Sequence, residues 1–278
     1  MTVQSPGPLA PTASPSPSPS PDPTTLAGAS VIIAGRVIRQ FVRNRMMLIV
    51  TIAFPLLQLF MLLAAFSVLV QDTQGVDYVR RLAPLIVLTT AFSSILTTAI
   101  ALWSDIRSGV FNRLRAMPLD MRAYVFGRIG GDFVRIMGVA VLVTLVAHTV
   151  GFRFSNGPLA VLGFFGIVAL FGMMCSALAV AVALVAQHPG IIVRYVQMPT
   201  LVMTLMSSGY VPLEAFPGWI QPVVSVNPVS LAAGALAGLS HEGALTVPVL
   251  GTVAWTLGVT AVCTVVATRR FALLVKRG

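Results

Sequence analysis

Charge is what this 278-residue chain has least of: 18 Lys/Arg and 8 Asp/Glu make up 9% of its residues. A soluble domain carries about 25%, so a fully water-facing surface is excluded. Lysine is scarcer still, since Lys276 is the single one and every other basic residue is Arg. A Walker A loop needs a Lys to reach the nucleotide phosphates, and no G-x-x-x-x-G-K-[ST] occurs. If ATP drives this protein, another chain hydrolyses it. The two cysteines, Cys175 and Cys263, both lie in apolar runs and read as small core residues rather than a disulfide framework or a metal site. His148, His188 and His241 lack metal-ligand spacing. There is no Ser-x-x-Lys, Gly-x-Ser-x-Gly or His-Glu-x-x-His. The chain is therefore expected to hold no catalytic residue and no metal, and not to be an enzyme itself.

What it has in excess is apolar sequence: 56% of residues are hydrophobic and the mean hydropathy is +0.91. Six apolar stretches stand out, at 46–70, 83–103, 133–150, 158–186, 193–208 and 244–268. At roughly 20 apolar residues per span they use up the chain and leave no room for a sizeable soluble domain. The expected fold is an all-α integral membrane protein with six transmembrane helices. Residues 1–25 form a Pro/Ser/Thr-rich tail, expected to be disordered and without the features of a secretory signal. In 26–45, Arg36, Arg39 and Arg43 recur at i, i+3 and i+7 and Arg45 follows. That spacing puts the three on one face of a basic amphipathic helix lying in the membrane interface.

The arginines also set the topology. An even number of spans leaves both termini on one side, and segments on that side carry 14 of the basic residues. The other side holds three, Arg80, Arg81 and Arg153, with Arg135 at a span edge. Cytoplasmic segments are the Lys/Arg-rich ones, so both termini are expected in the cytoplasm of a multi-pass plasma (inner) membrane protein. The net charge of +10 is then topology rather than nucleic-acid binding. On this reading the spans hold no buried charge, which points to a hydrophobic or amphipathic cargo and away from ion-coupled transport. His148 is the one span residue that could relay protons, and packing outweighs that role. Met198, Met203 and Met206, with Leu201 and Leu205, read first as helix packing and second as an adaptable cargo surface. Gly234 and Gly238 match G-x-x-x-G, which permits close helix approach.

Two polar segments carry more information. In 104–132, charges surround Val110, Phe111, Leu114 and Met117, which suits a short amphipathic helix broken near Pro118 and able to dock on a partner. In 209–242, Pro212, Pro217, Pro222 and Pro228 come too densely for one spanning helix, yet the stretch is too apolar for a solvated loop. Short helical pieces dipping into the outer leaflet satisfy both conditions. Trp219 belongs at the membrane–water boundary. Glu214 reads equally as a cargo or gating contact and as an outer-surface residue.

The order S-G-x-x-P-L-x-x-F-P-x-W-I-x-P over 208–222, followed by Asn227-Pro-Val-Ser230, resembles the permeases of the ABC-2 export family. The likeness is to the daunorubicin-resistance (DrrB/DrrC-like) branch of actinobacterial drug and lipid exporters. Gly109, Arg113, Leu114, Ala116, Pro118 and Arg122 look like that family's cytoplasmic loop. The resemblance covers 26–278 and implies a six-helix permease with an N-terminal interfacial helix and re-entrant helices before the last span. It makes Asp105, Arg107, Gly109, Arg113, Leu114, Pro118 and Arg122 the coupling region for a separate ATPase subunit. It makes Gly209, Pro212, Glu214, Phe216, Pro217, Trp219, Asn227 and Pro228 a re-entrant extracellular gate. Two ATPase copies would bind ATP and Mg, leaving no cofactor in this chain, and a second permease, identical or related, would complete the path. The implied function is outward movement of a complex lipid, polyketide or drug. The alternatives are an ATP-independent secondary transporter or channel and an intramembrane lipid enzyme. The chain departs from the family pattern at Asp105, where a Glu is usual, and at Ala237-Gly238, where an Arg is frequent.

Overall fold

A computed structural model describes residues 26–67, 75–108, 121–211, 213–240 and 246–276. The Pro/Ser/Thr tail and the amphipathic helix expected around Val110–Met117 lie outside them. The described residues are helical throughout, without a strand. The helices are α1 (Leu26–Arg43), α2 (Arg45–Ser67), α3 (Gly75–Arg107), α4 (Met121–Thr149) and α5 (Gly157–Val185). Next comes α6, a continuous run built from Pro189–Ile192, the π-helical Val193–Gln197 and Met198–Leu205. A 3₁₀ turn at Leu213–Ala215 leads to α7 (Gln221–Val226), α8 (Pro228–Ser240) and α9 (Thr246–Lys276).

Among the described residues, five helices are long and apolar enough to cross a membrane: Arg45–Ala64, Leu82–Arg107, Tyr124–Thr149, Gly157–Val185 and Thr246–Arg270. The expected fifth span, 193–208, is the shorter α6. At about 1.5 Å per residue it reaches roughly 25 Å, less than a hydrocarbon core of about 30 Å. Its π turn has a sequence cause. Pro199 has no N–H and its ring crowds the carbonyl four residues back, and a widened turn over Val193–Gln197 absorbs both defects.

The core is α3, α4 and α5, with α1 laid along α4 and α9 along α5. Lipid is as apolar as leucine, so helices associate through close packing of small residues. The middle of α5 supplies them: Gly172, Cys175, Ser176, Ala177, Ala179, Ala181 and Ala183 are all buried. Cys175 and Cys263 are buried free thiols, in keeping with their reading as core residues. The α4–α5 turn needs glycine at both ends, with φ of 111° at Gly151 and 79° at Gly157. Between them Phe152 and Phe154 stack edge-on at 5.0 Å, and Phe154 meets Phe164 at 5.3 Å. Ser155 N–H donates to the Ser240 carbonyl at 3.0 Å, which docks this turn on the end of α8.

The chain breaks between α1 and α2 at Asn44, whose Oδ1 accepts from Met47 N–H at 3.0 Å and caps α2. Close approach of helices falls not at Gly234 but at Gly127 and Gly131. A Cβ on Gly234 would sit 3.5 Å from Pro248, an ordinary contact. On Gly127 and Gly131 it would come within 2.7 Å of α1.

Candidate functional site

The first site element is a stripe on α3. Within 82–103 the only exposed side chains are Ser93 and Thr97, and Thr90 and Ser94 complete a run at i, i+3, i+4 and i+7 along one face. Each hydroxyl gives its proton to a carbonyl one turn back: Thr90 to Ile86 at 2.7 Å, Ser93 to Thr89 at 2.8 Å, Ser94 to Ala91 at 2.6 Å and Thr97 to Ser94 at 3.0 Å. The lone pairs are left pointing outward. The stripe lines a cavity of about 120 Å³ whose opposite wall includes Thr51, Phe54 and Pro55 of α2 and Arg135 of α4. Pro55 adds to the polarity of that wall, because it has no N–H for the Thr51 carbonyl.

At the end of the same cavity nearest the α3–α4 connection lies a buried ion cluster that corrects the expectation of spans without buried charge. The polar stretch 121–132 is helix, and α4 begins at Met121 rather than near Phe133. Arg128, Asp132 and Arg135 therefore fall at i, i+4 and i+7 on one face, with side chains only 6%, 1% and 6% exposed. Asp132 pairs with Arg128 Nε at 3.5 Å and with Arg135 Nη2 at 3.2 Å. Arg128 Nη1 reaches Asp105 at 3.6 Å. Arg135 also donates to Thr98 Oγ1 at 3.0 Å and to Thr97 Oγ1 at 3.5 Å, and its guanidinium lies 5.8 Å from the Phe41 ring. Two guanidinium groups balance two carboxylates, which is what makes burial affordable in a low-dielectric interior.

Of the expected coupling residues, Gly109, Arg113, Leu114 and Pro118 lie outside the described residues, and so does the Arg122 side chain. The stems of that loop are described. Tyr124 Oη donates to Asp105 Oδ2 at 2.8 Å, so Asp105 joins the two ends of the loop and links them to Arg128. Arg107 lies 5.7 Å from the Trp103 ring and donates to the Gln187 carbonyl at 3.1 Å, tying this loop to the α5–α6 link. Arg36, Arg39 and Arg43 of α1 and Arg45, the first residue of α2, are all exposed.

The stretch between α6 and α8 is organised by Asn227. Its Nδ2 donates to the carbonyls of Met203 at 2.7 Å and Met206 at 3.1 Å, which the end of α6 leaves free. Its Oδ1 accepts from Val229 N–H at 3.0 Å and caps α8, with Pro228 at the first helical position. Ser230 Oγ accepts from Ser208 N–H at 3.0 Å, and Gln58 of α2 donates to Tyr210 Oη at 2.7 Å. Gly209 is there for space, since a Cβ would stand 2.7 Å from Leu85. Glu214, Pro217 and Trp219 are exposed and Phe216 half-buried; Pro212 lies outside the described residues. Asn227→Ala removes one cap and two carbonyl partners and is expected to cost about 1–3 kcal/mol, read as a lower thermal midpoint in detergent. Asn227→Asp keeps the cap but not the donors, and should recover only part of the loss.

Two elements escaped sequence reasoning. The stripe is written in Thr89-TAFSSILT-Thr98, where hydroxyls fall at helical spacing inside an apolar run. The ion cluster is written in the spacing of Arg128, Asp132 and Arg135, which a span begun at Phe133 conceals. The methionines of α6, read first as packing, are not packed within this chain: Met198 and Met203 are 61% and 38% exposed. His148, at the end of α4, is exposed.

A multi-pass helical membrane protein with a polar cavity between spans and an α3–α4 loop hung from paired stems has the build of a transporter permease. The family model for ABC-2 type transporters matches residues 30–239, and the chain belongs to that family. It is 28% identical over 230 residues to the "Probable doxorubicin resistance ABC transporter permease protein DrrC" of Mycobacterium tuberculosis, covering 83% of each chain. It is also 28% identical over 217 residues to the "Daunorubicin resistance ABC transporter permease protein DrrB1" of Streptomyces coeruleorubidus, covering 78% of this chain and 76% of that one. The chain is a membrane permease subunit of an ABC exporter, and ATP-binding subunits are where such exporters hold nucleotide.

Proposed function

We propose that this permease pairs with a second one, identical or related, and moves a hydrophobic or amphipathic cargo (a drug, polyketide or complex lipid) outward across the plasma membrane. The observation that carries this reading is the α3 stripe. A spanning helix whose only exposed positions over 82–103 are hydroxyls is mismatched to lipid, and non-apolar surface at membrane depth belongs against protein or a water-filled path. A second permease set across this face would enclose such a path. The apolar exposed side chains of α2 and α6, such as Phe54, Leu57, Met198 and Leu201, would supply its greasy wall. The buried ion cluster is internally neutral, so it offers a cargo no free charge and supports an uncharged or weakly charged passenger. The relatives named for doxorubicin and daunorubicin resistance fit that class.

Two copies of an ATPase subunit, binding ATP and Mg, would press on 104–132. Both termini and that loop are cytoplasmic on the basic-residue asymmetry, and Glu214 and Trp219 face outward. Closure of the ATPases would pull on the stems at Asp105 and Tyr124 and shift the pair between states that bind cargo differently. Inside-out vesicles carrying the permease and its ATPase should accumulate doxorubicin with ATP, and continue to do so when the proton gradient is collapsed. Gly109→Leu and Arg113→Ala should lower cargo-stimulated ATP hydrolysis several-fold with membrane insertion intact. Uptake that needs no ATPase subunit and disappears with the proton gradient would instead establish a secondary transporter.

A further inference from the structure

We propose that a groove between α1, α2 and α4 holds one phospholipid of the cytoplasmic leaflet, its acyl chain on the apolar wall and an anionic headgroup on the arginines at the α1–α2 joint. The leaflet rests on the orientation given above; the site itself does not. The groove encloses about 260 Å³, on the order of the smaller small-molecule pockets. Its wall is largely apolar, with Phe41 and Val42 of α1, Ile52 of α2, and Val134, Gly138 and Leu142 of α4. It is open on the lipid side, where Val134 is 49% exposed.

The wall also continues in the direction an acyl chain runs. Val134, Gly138, Val141 and Leu145 recur at i, i+4, i+7 and i+11 on α4, and Val141 and Leu145 are 43% and 64% exposed. A chain leaving the groove thus follows one apolar stripe along the helix axis.

Charge bookkeeping places the headgroup. The polar floor of the groove, Arg128, Asp132 and Arg135, belongs to the neutral cluster that Asp105 completes, so it draws no net charge. The positive excess lies next to the groove in the chain, on exposed residues. Asn44 lines the groove and is flanked in the chain by Arg43 and Arg45. Among the described residues no carboxylate lies within ion-pair distance of Arg36, Arg39, Arg43 or Arg45. Unpaired guanidinium groups beside an apolar slot match a phosphate carrying acyl chains, with Gln40 and Asn44 available to its ester oxygens. Anionic headgroups gain at each surface arginine, so a net-negative lipid outcompetes a zwitterionic one.

The test uses the full-length permease in detergent and native mass spectrometry, titrating phosphatidylglycerol against phosphatidylcholine of identical acyl chains. One phosphatidylglycerol per chain is expected, preferred on the order of tenfold. The double substitution Arg43→Gln/Arg45→Gln changes exposed residues only and should abolish the preference while leaving chain binding. Gly138→Leu should abolish retention of both lipids. A Cβ there meets nothing within 4 Å, so the added side chain fills the slot without moving a helix. Equal binding of the two lipids, or undiminished retention by Gly138→Leu, would overturn the proposal. So would displacement of the lipid by inorganic phosphate alone, which would reveal a bare anion site. None of these readouts depends on cargo export, so they stand apart from the transport assay above.

Discussion

Asp132→Asn is expected to destabilise the permease by about 3–5 kcal/mol, the penalty of removing one partner from a buried ion pair. Asp132 holds two guanidinium groups at once, Arg128 at 3.5 Å and Arg135 at 3.2 Å. With the carboxylate gone, Asp105 alone faces both arginines and one positive charge is left uncompensated among residues that water does not reach. For a chain of this size the loss corresponds to a midpoint roughly 10 °C lower, measurable by tryptophan fluorescence during heating in detergent. Adding Arg135→Gln to Asp132→Asn restores neutrality and leaves Arg128 with Asp105 at 3.6 Å. The double variant should therefore be more stable than Asp132→Asn alone, with a coupling energy above about 1 kcal/mol. Strict additivity would mean that the cluster is not a charge-balanced unit.

Apolar run length, the arginine asymmetry and the two family-like motifs were legible in the sequence because each depends on residue type along the chain. They suffice for an all-helical permease, a helix ahead of the first span and an irregular stretch before α8. The boundary of α4 was not legible in the same way. Hydropathy counts Arg128 and Asp132 as loop, whereas their cost in a helix disappears only when Asp105 on α3 and Arg135 one turn away are brought to them. The same holds for α6. Pro199 and the polar residues Arg194 and Gln197 announce an imperfect span, but the π turn that absorbs the proline follows from backbone geometry. G-x-x-x-G spacing alone does not discriminate, since Gly127 and Gly131 form such a match as Gly234 and Gly238 do. Small-residue spacing permits close approach, while the neighbouring helix decides whether the permission is used. Gly234 faces Pro248 at ordinary distance and Gly127 faces the backbone of Ser30.

That distinction yields the second large effect, the release of α1 by a single methyl group. A Cβ on Gly127 would lie 2.6 Å from both Ile33 Cβ and the Ser30 carbonyl oxygen, and one on Gly131 would lie 2.7 Å from Val37 Cβ. Backbone and β-carbons cannot swing aside, so Gly127→Ala and Gly131→Ala must move the helix, at about 1–3 kcal/mol each. Gly130→Ala and Gly138→Ala are the controls. A Cβ at Gly130 stands at 3.8 Å from Ala34 Cβ and one at Gly138 meets nothing, so both should be neutral or gain up to about 1 kcal/mol from helix propensity. The displacement itself can be read with a disulfide. The 3.8 Å between Ala34 Cβ and the position of a Gly130 Cβ is the usual β-carbon spacing of a disulfide, and the native Cys175 and Cys263 are buried. The pair Ala34→Cys/Gly130→Cys should therefore cross-link readily under mild oxidation. Adding Gly127→Ala should cut the yield several-fold and adding Gly138→Ala should leave it unchanged. Because α1 carries the exposed arginines and walls the groove beside α4, the Gly127→Ala permease should lose bound phosphatidylglycerol along with the cross-link. Full cross-linking with Gly127→Ala present would show that α1 is not held by this contact.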